Sequence, residues 1–189
     1  MRVRLGAAIA AAFLAFAGAA HATVVTFDDL VGSDLSVPDG YAGITWNGQW
    51  VYFGADQTPY TPASPPNRVY DLSASGAFDF AAPVIFDGAD FAGLSGVTLK
   101  FQLYLAGALV ATSGVLTTSD VPTFLSSGYS GLVDEVRVMG ADVGAFVMDN
   151  VTYDAAPAGV PEPVSWAMML VGFFGLGAGL RARRRTAAA

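Results

Sequence analysis

The chain has 189 residues, 53% of them hydrophobic and 13% charged, with a formal net charge of −7, one histidine and no cysteine. Without cysteine there are no disulfides and no thiolate metal sites, so the fold rests on core packing. The length suits one domain of ordinary size plus targeting segments at its ends.

The N-terminus opens with the basic Met1-Arg-Val-Arg4 and continues from Leu5 to Ala20 as small and apolar residues. Ala20-His21-Ala22 then fits the small-x-small pattern of a signal-peptidase site, which predicts a signal helix cleaved after Ala22, with Ala20 and Ala22 as the recognised residues. Cleavage would remove His21 and leave a mature chain with neither histidine nor cysteine.

Charge is strongly segregated along the chain. Between Thr23 and Asp154 only Arg68, Lys100 and Arg137 oppose fifteen acidic residues, a net of −12. So acidic a surface repels phosphate backbones and excludes nucleic acid as a partner.

Frequent Gly, Pro, Asn and Asp break this central region into short runs of Val, Ile, Phe, Tyr and Thr, a pattern of strands and turns. Asp28 and Asp29 lie near its start. Tyr41, Trp46, Trp50, Tyr52 and Tyr60 follow, with Asn47 and Gln49 among them. Flat aromatics stack on sugar faces and amides bind hydroxyls, so Trp46, Trp50 and Tyr52 are candidate glycan-binding residues. Core packing of Trp46 and Tyr52 is the competing account, because large aromatics supply much buried area.

Phe78-Asp-Phe80 predicts a strand. So, more clearly, does Val97 to Leu105, where Val97, Leu99, Phe101, Leu103 and Leu105 share one face. Leu105-Ala-Gly107-Ala-Leu109 predicts a hairpin turn with a return strand through Val110 to Thr112. Val136-Arg-Val138 and Phe146 to Tyr153 complete the set. The expected fold is all-β, a two-sheet antiparallel sandwich of jelly-roll type over residues 23–154.

Catalysis is narrowed by elimination. Without histidine or cysteine there is no Ser-His or Cys-His dyad and no histidine-rich zinc site. A glycoside hydrolase would need two facing carboxylates, but Glu135, the domain's single glutamate, adjoins Asp134 on a strand, so the two point to opposite faces. The chain is therefore expected to be non-enzymatic and to require no cofactor. Asp28, Asp29, Asp149 and Asn150 would meet if the terminal strands lie together, and such hard oxygen donors favour a structural calcium. The alternative is that they end strands and cap turns.

A Pro/Ala linker, 155–163, leads to Pro161-Glu162-Pro163. An uncharged stretch from Trp166 to Leu180 follows, and then Arg181, Arg183, Arg184 and Arg185. This order predicts one C-terminal transmembrane helix over 164–185, with Trp166 at one interface, the arginines as the cytoplasmic stop, and a short tail over 186–189. Residues 161–173, Pro161-Glu-Pro-Val-Ser-Trp166-Ala-Met-Met-Leu-Val-Gly-Phe173, resemble the PEP-CTERM sorting domain in its PEPxxWA variant.

The resemblance covers about the last thirty residues. It implies an exported protein of a Gram-negative bacterium, tethered in the inner membrane and then processed at Pro161, Glu162 and Pro163 by an exosortase. The protein would go on to the cell surface or the extracellular polysaccharide layer. Phe27-Asp28-Asp29-Leu30, the run from Pro38 to Trp46 and that from Phe146 to Tyr153 are similar to the β-sandwich ectodomains found with such tails. The expected function is thus a sorted, surface-associated, non-enzymatic β-sandwich, partnered by signal peptidase, the exosortase and the membrane. The alternatives are a carbohydrate-binding module of the polysaccharide layer and, more weakly, an extracellular glycoside hydrolase.

Overall fold

The computed structural model describes residues 22–73, 75–140, 143–156 and 168–174. One compact unit runs through Ala156, and Pro157–Ala189 forms a second. Among the described residues the first unit contains twelve strands: β1 Thr23–Val25, β2 Leu35–Ser36, β3 Ile44–Thr45, β4 Trp50–Phe53, β5 Arg68–Asp71, β6 Ser75–Gly93, β7 Thr98–Leu105, β8 Ala108–Thr112, β9 Leu116–Thr117, β10 Thr123–Ser126, β11 Leu132–Gly140 and β12 Phe146–Ala155. All pairings are antiparallel, in the order β2-β4-β5-β12-β6-β11-β7-β8. This is the all-β antiparallel sandwich that the short alternating runs predict.

Strand β6 joins the two layers. Its first part pairs with β3 and β11, and its second part, from Val84, pairs with β12 and β10, with β11 following as far as Val84 and Ile85 through a register shift. Between them lies Ala81-Ala-Pro83, exposed and outside both ladders, where the missing proline N–H costs no hydrogen bond. Phe78 and Phe80 from one layer thus face the same core as Phe86 and Phe91 from the other. Phe86 meets Phe101 of β7 edge to face at 4.9 Å, and Trp50 of β4 meets Phe78 at 6.3 Å, so aromatic contacts cross between the layers.

The strand with the strictest alternation behaves accordingly. In β7 Leu99, Phe101 and Leu103 are buried. The turn that follows places Ala106 and Gly107 at positive φ, as a two-residue hairpin requires.

Alternation fails in the second half of β6, where Phe86 and then Ala89 both face inward. Gly88 absorbs the change of phase at φ 150°, with a register shift opposite it in β12. A Cβ on Gly88 would strike the Leu125 carbonyl of β10. Gly88→Ala is expected to cost at least the ~1–3 kcal/mol of a glycine-only backbone conformation, read as a lowered urea midpoint; an unchanged midpoint would show that the bulge is dispensable.

The C-terminal segment departs from expectation. Helix is described over 168–174, and among the described residues no helix is long and apolar enough to cross a membrane. The expected transmembrane helix, and the inner-membrane tether that depended on it, are therefore corrected. The signal segment with Ala20, together with Pro161, Glu162, Pro163, Trp166, Arg181, Arg183, Arg184 and Arg185, lies outside the described residues.

Candidate functional site

The aromatic segment 41–60 divides between interior and surface. Trp46 and Trp50 are fully buried and Tyr52 is 4% exposed, so none of the three offers a ring face to a glycan. Trp46 packs edge-on against Phe27 and Trp50, and its Nε1 donates to the Tyr41 carbonyl at 3.1 Å. Trp50 Nε1 donates to the Ala77 carbonyl at 3.0 Å, and the Tyr52 hydroxyl donates to the Val31 carbonyl at 2.8 Å. All three are core residues whose polar atoms are satisfied inside the domain.

Their strand neighbours point the other way. On β4 Phe53, on β5 Tyr70 and on β12 Val147 occupy the outer face of the layer, where they form a small second apolar cluster with Ala92 and Tyr60. The connection 54–67 carries Tyr60 over this face, and the Tyr60 hydroxyl donates to the Gly144 carbonyl at 2.9 Å. The result is an open groove of about 260 Å³ lined by Asp34, Phe53, Gln57, Tyr60, Tyr70, Gly144 and Val147.

Two buried side chains hold that connection in place. Arg68 is inaccessible to solvent; its Nη2 donates to the Ala55 carbonyl at 2.5 Å and its Nη1 to the Pro66 carbonyl at 3.3 Å, tying both ends of the loop together. The guanidinium lies 3.9 Å from the centre of the Phe53 ring, a cation–π contact on the side away from solvent. Burial lowers its pKa, while the charges of Asp56 and Asp149 act in the opposite sense.

Asp149, 2% exposed, accepts from the Ser64 amide at 2.8 Å and from the Asn150 amide at 2.7 Å. Burial pushes its carboxyl up to about 7; these amides oppose the shift and the charge of Asp28 adds to it.

The four oxygen-donor candidates are therefore only partly assembled. Asp28 and Asp149 flank the same loop: Asp28 accepts from the Asn67 amide at 3.0 Å, and Asn150 accepts from the Ser64 hydroxyl at 2.8 Å while donating to Asp90 at 3.2 Å. Asp29 is drawn away to the Tyr41 hydroxyl at 2.5 Å. Among the described residues no group of three His, Cys, Asp or Glu could hold a metal ion. With lone pairs taken by amide and hydroxyl hydrogens, these residues suit a loop anchor better than a calcium cage, which needs about six to eight free oxygens.

The carboxylates weighed for hydrolysis are also engaged. Glu135 pairs with Arg137 at 2.5 Å, and Asp134 accepts from the Ala106 amide at 2.8 Å, capping the β7–β8 turn. They do not face each other across a cleft.

Of the groove residues, the sequence pointed only to Tyr60. The outward phase of Phe53 follows from the inward phase of Trp50 and Tyr52, a signal that was available. Tyr70 and Asp34 gave none, because their neighbours are set by long-range pairing.

No family model matches the chain, and no curated protein matches it. The expected membership of the PEP-CTERM group is accordingly corrected, and with it the exosortase partner and the sorted, tethered localisation that the membership implied. Solved structures similar to the chain are variants of CBM29-2, a family 29 carbohydrate binding module. One shares 13% identity over 71% of this chain and 92% of that one, with a TM-score of 0.41. Another, complexed with mannohexaose, shares 11% over 71% and 92%, with a TM-score of 0.40. TmCBM61 in complex with β-1,4-galactotriose shares 12% over 68% of this chain and 100% of that one, with a TM-score of 0.35. At such scores the likeness carries no argument about ligand or activity.

Proposed function

We propose that the β-sandwich is a non-catalytic carbohydrate-binding module, with its ligand in the groove between Tyr60 and Tyr70. The observation that carries this reading is the groove itself: two partly exposed tyrosines beside Phe53, with the exposed Gln57 and Asp34 in the same lining. Aromatic faces take the C–H faces of a sugar ring, and amide and carboxylate groups take its hydroxyls. A volume of about 260 Å³ lies at the small end of ligand pockets, suited to one or two sugar units and not to a long chain lying flat. The engagement of Glu135 with Arg137 and of Asp134 with the Ala106 amide supports binding without hydrolysis by that pair. The module needs no cofactor.

Glycan-array binding of the whole chain, compared with Tyr70→Ala, tests the reading. Saturable binding to at least one glycan is expected, weakened about tenfold or more by Tyr70→Ala, which corresponds to about 1.4 kcal/mol. Binding to none of the glycans, or binding indifferent to Tyr70, would reject it.

A further inference from the structure

We infer that the groove selects a sugar carrying a free primary ammonium, a hexosamine unit without its N-acetyl group, over neutral or acidic sugars. The inference rests on the carbohydrate reading above and sharpens it.

Three aromatic residues, Phe53, Tyr60 and Tyr70, line one groove together with Asp34, whose carboxylate accepts from the Ser33 hydroxyl at 3.3 Å. Ring faces attract a cation through their quadrupole, and a carboxylate beside them completes a site for an organic ammonium. Asp34 is exposed and fixed from behind, its amide donating to the Tyr52 carbonyl at 2.9 Å.

The remaining polar lining is rich in acceptors. The Gly144 carbonyl takes the Tyr60 hydroxyl on one lone pair and has a second, and Gln57 offers its amide oxygen. An ammonium brings three donors to these oxygens, whereas a ring hydroxyl brings one. Among the described residues none that lines the groove is cationic, so an acidic sugar would find no partner charge there. The nearby cation, Arg68, is buried behind Phe53 with its guanidinium bound to loop carbonyls. The strong negative charge of residues 23–154 points the same way, by drawing cations toward the surface.

The test is calorimetric titration of the full chain with four short oligosaccharides: β-1,4-glucosamine, its N-acetylated form, a neutral mannose oligomer and a galacturonate oligomer, at a pH where the amine is protonated. Asp34→Asn is compared with Asp120→Asn, which removes the same charge from an exposed site outside the groove lining. The glucosamine oligomer should bind about tenfold or more tighter than the other three, weaken severalfold in Asp34→Asn and with added salt, and be unaffected by Asp120→Asn.

Equal binding of the N-acetylated or neutral oligomer, or an unchanged Asp34→Asn, overturns the selection. The carbohydrate reading then stands as long as Tyr70→Ala still weakens binding. An equal loss in Asp120→Asn also overturns it, because the attraction would then belong to the whole acidic surface. If none of the four binds, the selection falls; the carbohydrate reading falls with it only when the glycan array is blank as well.

Discussion

Trp50→Ala is expected to destabilise the domain by about 3–5 kcal/mol, the usual cost of removing a fully buried large aromatic. Trp50 sits where both layers meet, edge-on to Trp46 and Phe78, and Gly76 of β6 packs closely against its six-membered ring. Truncation leaves a cavity and strips the Ala77 carbonyl of its buried donor, so both losses act together.

Set against a typical stability of about 5–15 kcal/mol, the change would lower Tm by roughly 10–20 °C or leave the domain partly unfolded. Trp50→Phe, which keeps most of the volume, should lose clearly less. Thermal melts followed by near-ultraviolet circular dichroism would show this. A Trp50→Ala protein with unchanged Tm but abolished glycan binding would contradict the core assignment and return Trp50 to the surface. Any loss of binding in this variant must otherwise be ascribed to unfolding, which makes Tyr70 the proper probe of the groove.

The second large effect is on pH. The carboxyl of Asp149 titrates near 7 in the folded domain, against about 3.9 in an unfolded chain, because burial disfavours its charge. Between these values the native state holds a proton that the unfolded state has lost. Stability therefore falls as pH rises from about 4 to about 7 and is flat above, with a contribution of up to about 4 kcal/mol from this group.

Asp71, also buried, has its pKa raised for the same reason, so it acts with the same sign. Asp149→Asn cannot ionise, and its amide nitrogen cannot accept the backbone N–H that one carboxylate oxygen holds, which costs a constant offset. Its urea midpoint should therefore stay level from pH 5 to pH 8 while the parent's falls. A parent midpoint that falls no more than that of Asp149→Asn over this range would mean that Asp149 ionises without cost.

How much of this was legible in the amino-acid order depends on the range of the forces involved. The β7 strand and the β7–β8 turn follow from local rules: alternation over Val97 to Leu105, and a glycine where φ must be positive. The exclusion of His- and Cys-based catalysis is a matter of composition, and the acidity of the domain is a matter of counting.

The fate of the aromatic segment was harder to foresee, since a tryptophan suits a core and a sugar platform equally well. What separates Trp50 from Phe53 is which face of β4 packs against β6, a contact made across 25 residues or more of chain. The phase of β6 itself changes at Gly88, opposite Thr152 and next to the β12 register shift that holds Asn150 at φ 49°, and no periodicity survives such a bulge. The C-terminal stretch shows the converse error. An ordered pattern of motif, apolar run and arginines suggested a full membrane span, whereas among the described residues no helix is long and apolar enough to cross a membrane, and no family model matches the chain.

Composition and local pattern thus establish an all-β, strongly acidic domain without histidine or cysteine chemistry beyond Ala22, because those properties need no knowledge of which strands meet. The groove came from the fold. Asp34, Phe53, Gln57, Tyr60, Tyr70, Gly144 and Val147 are spread over more than a hundred residues, and only the β4-β5-β12 pairing, with the loop tied down by Arg68 and Asp149, brings them together. Long-range strand pairing is the step that local sequence does not encode, because its energy depends on both partners at once.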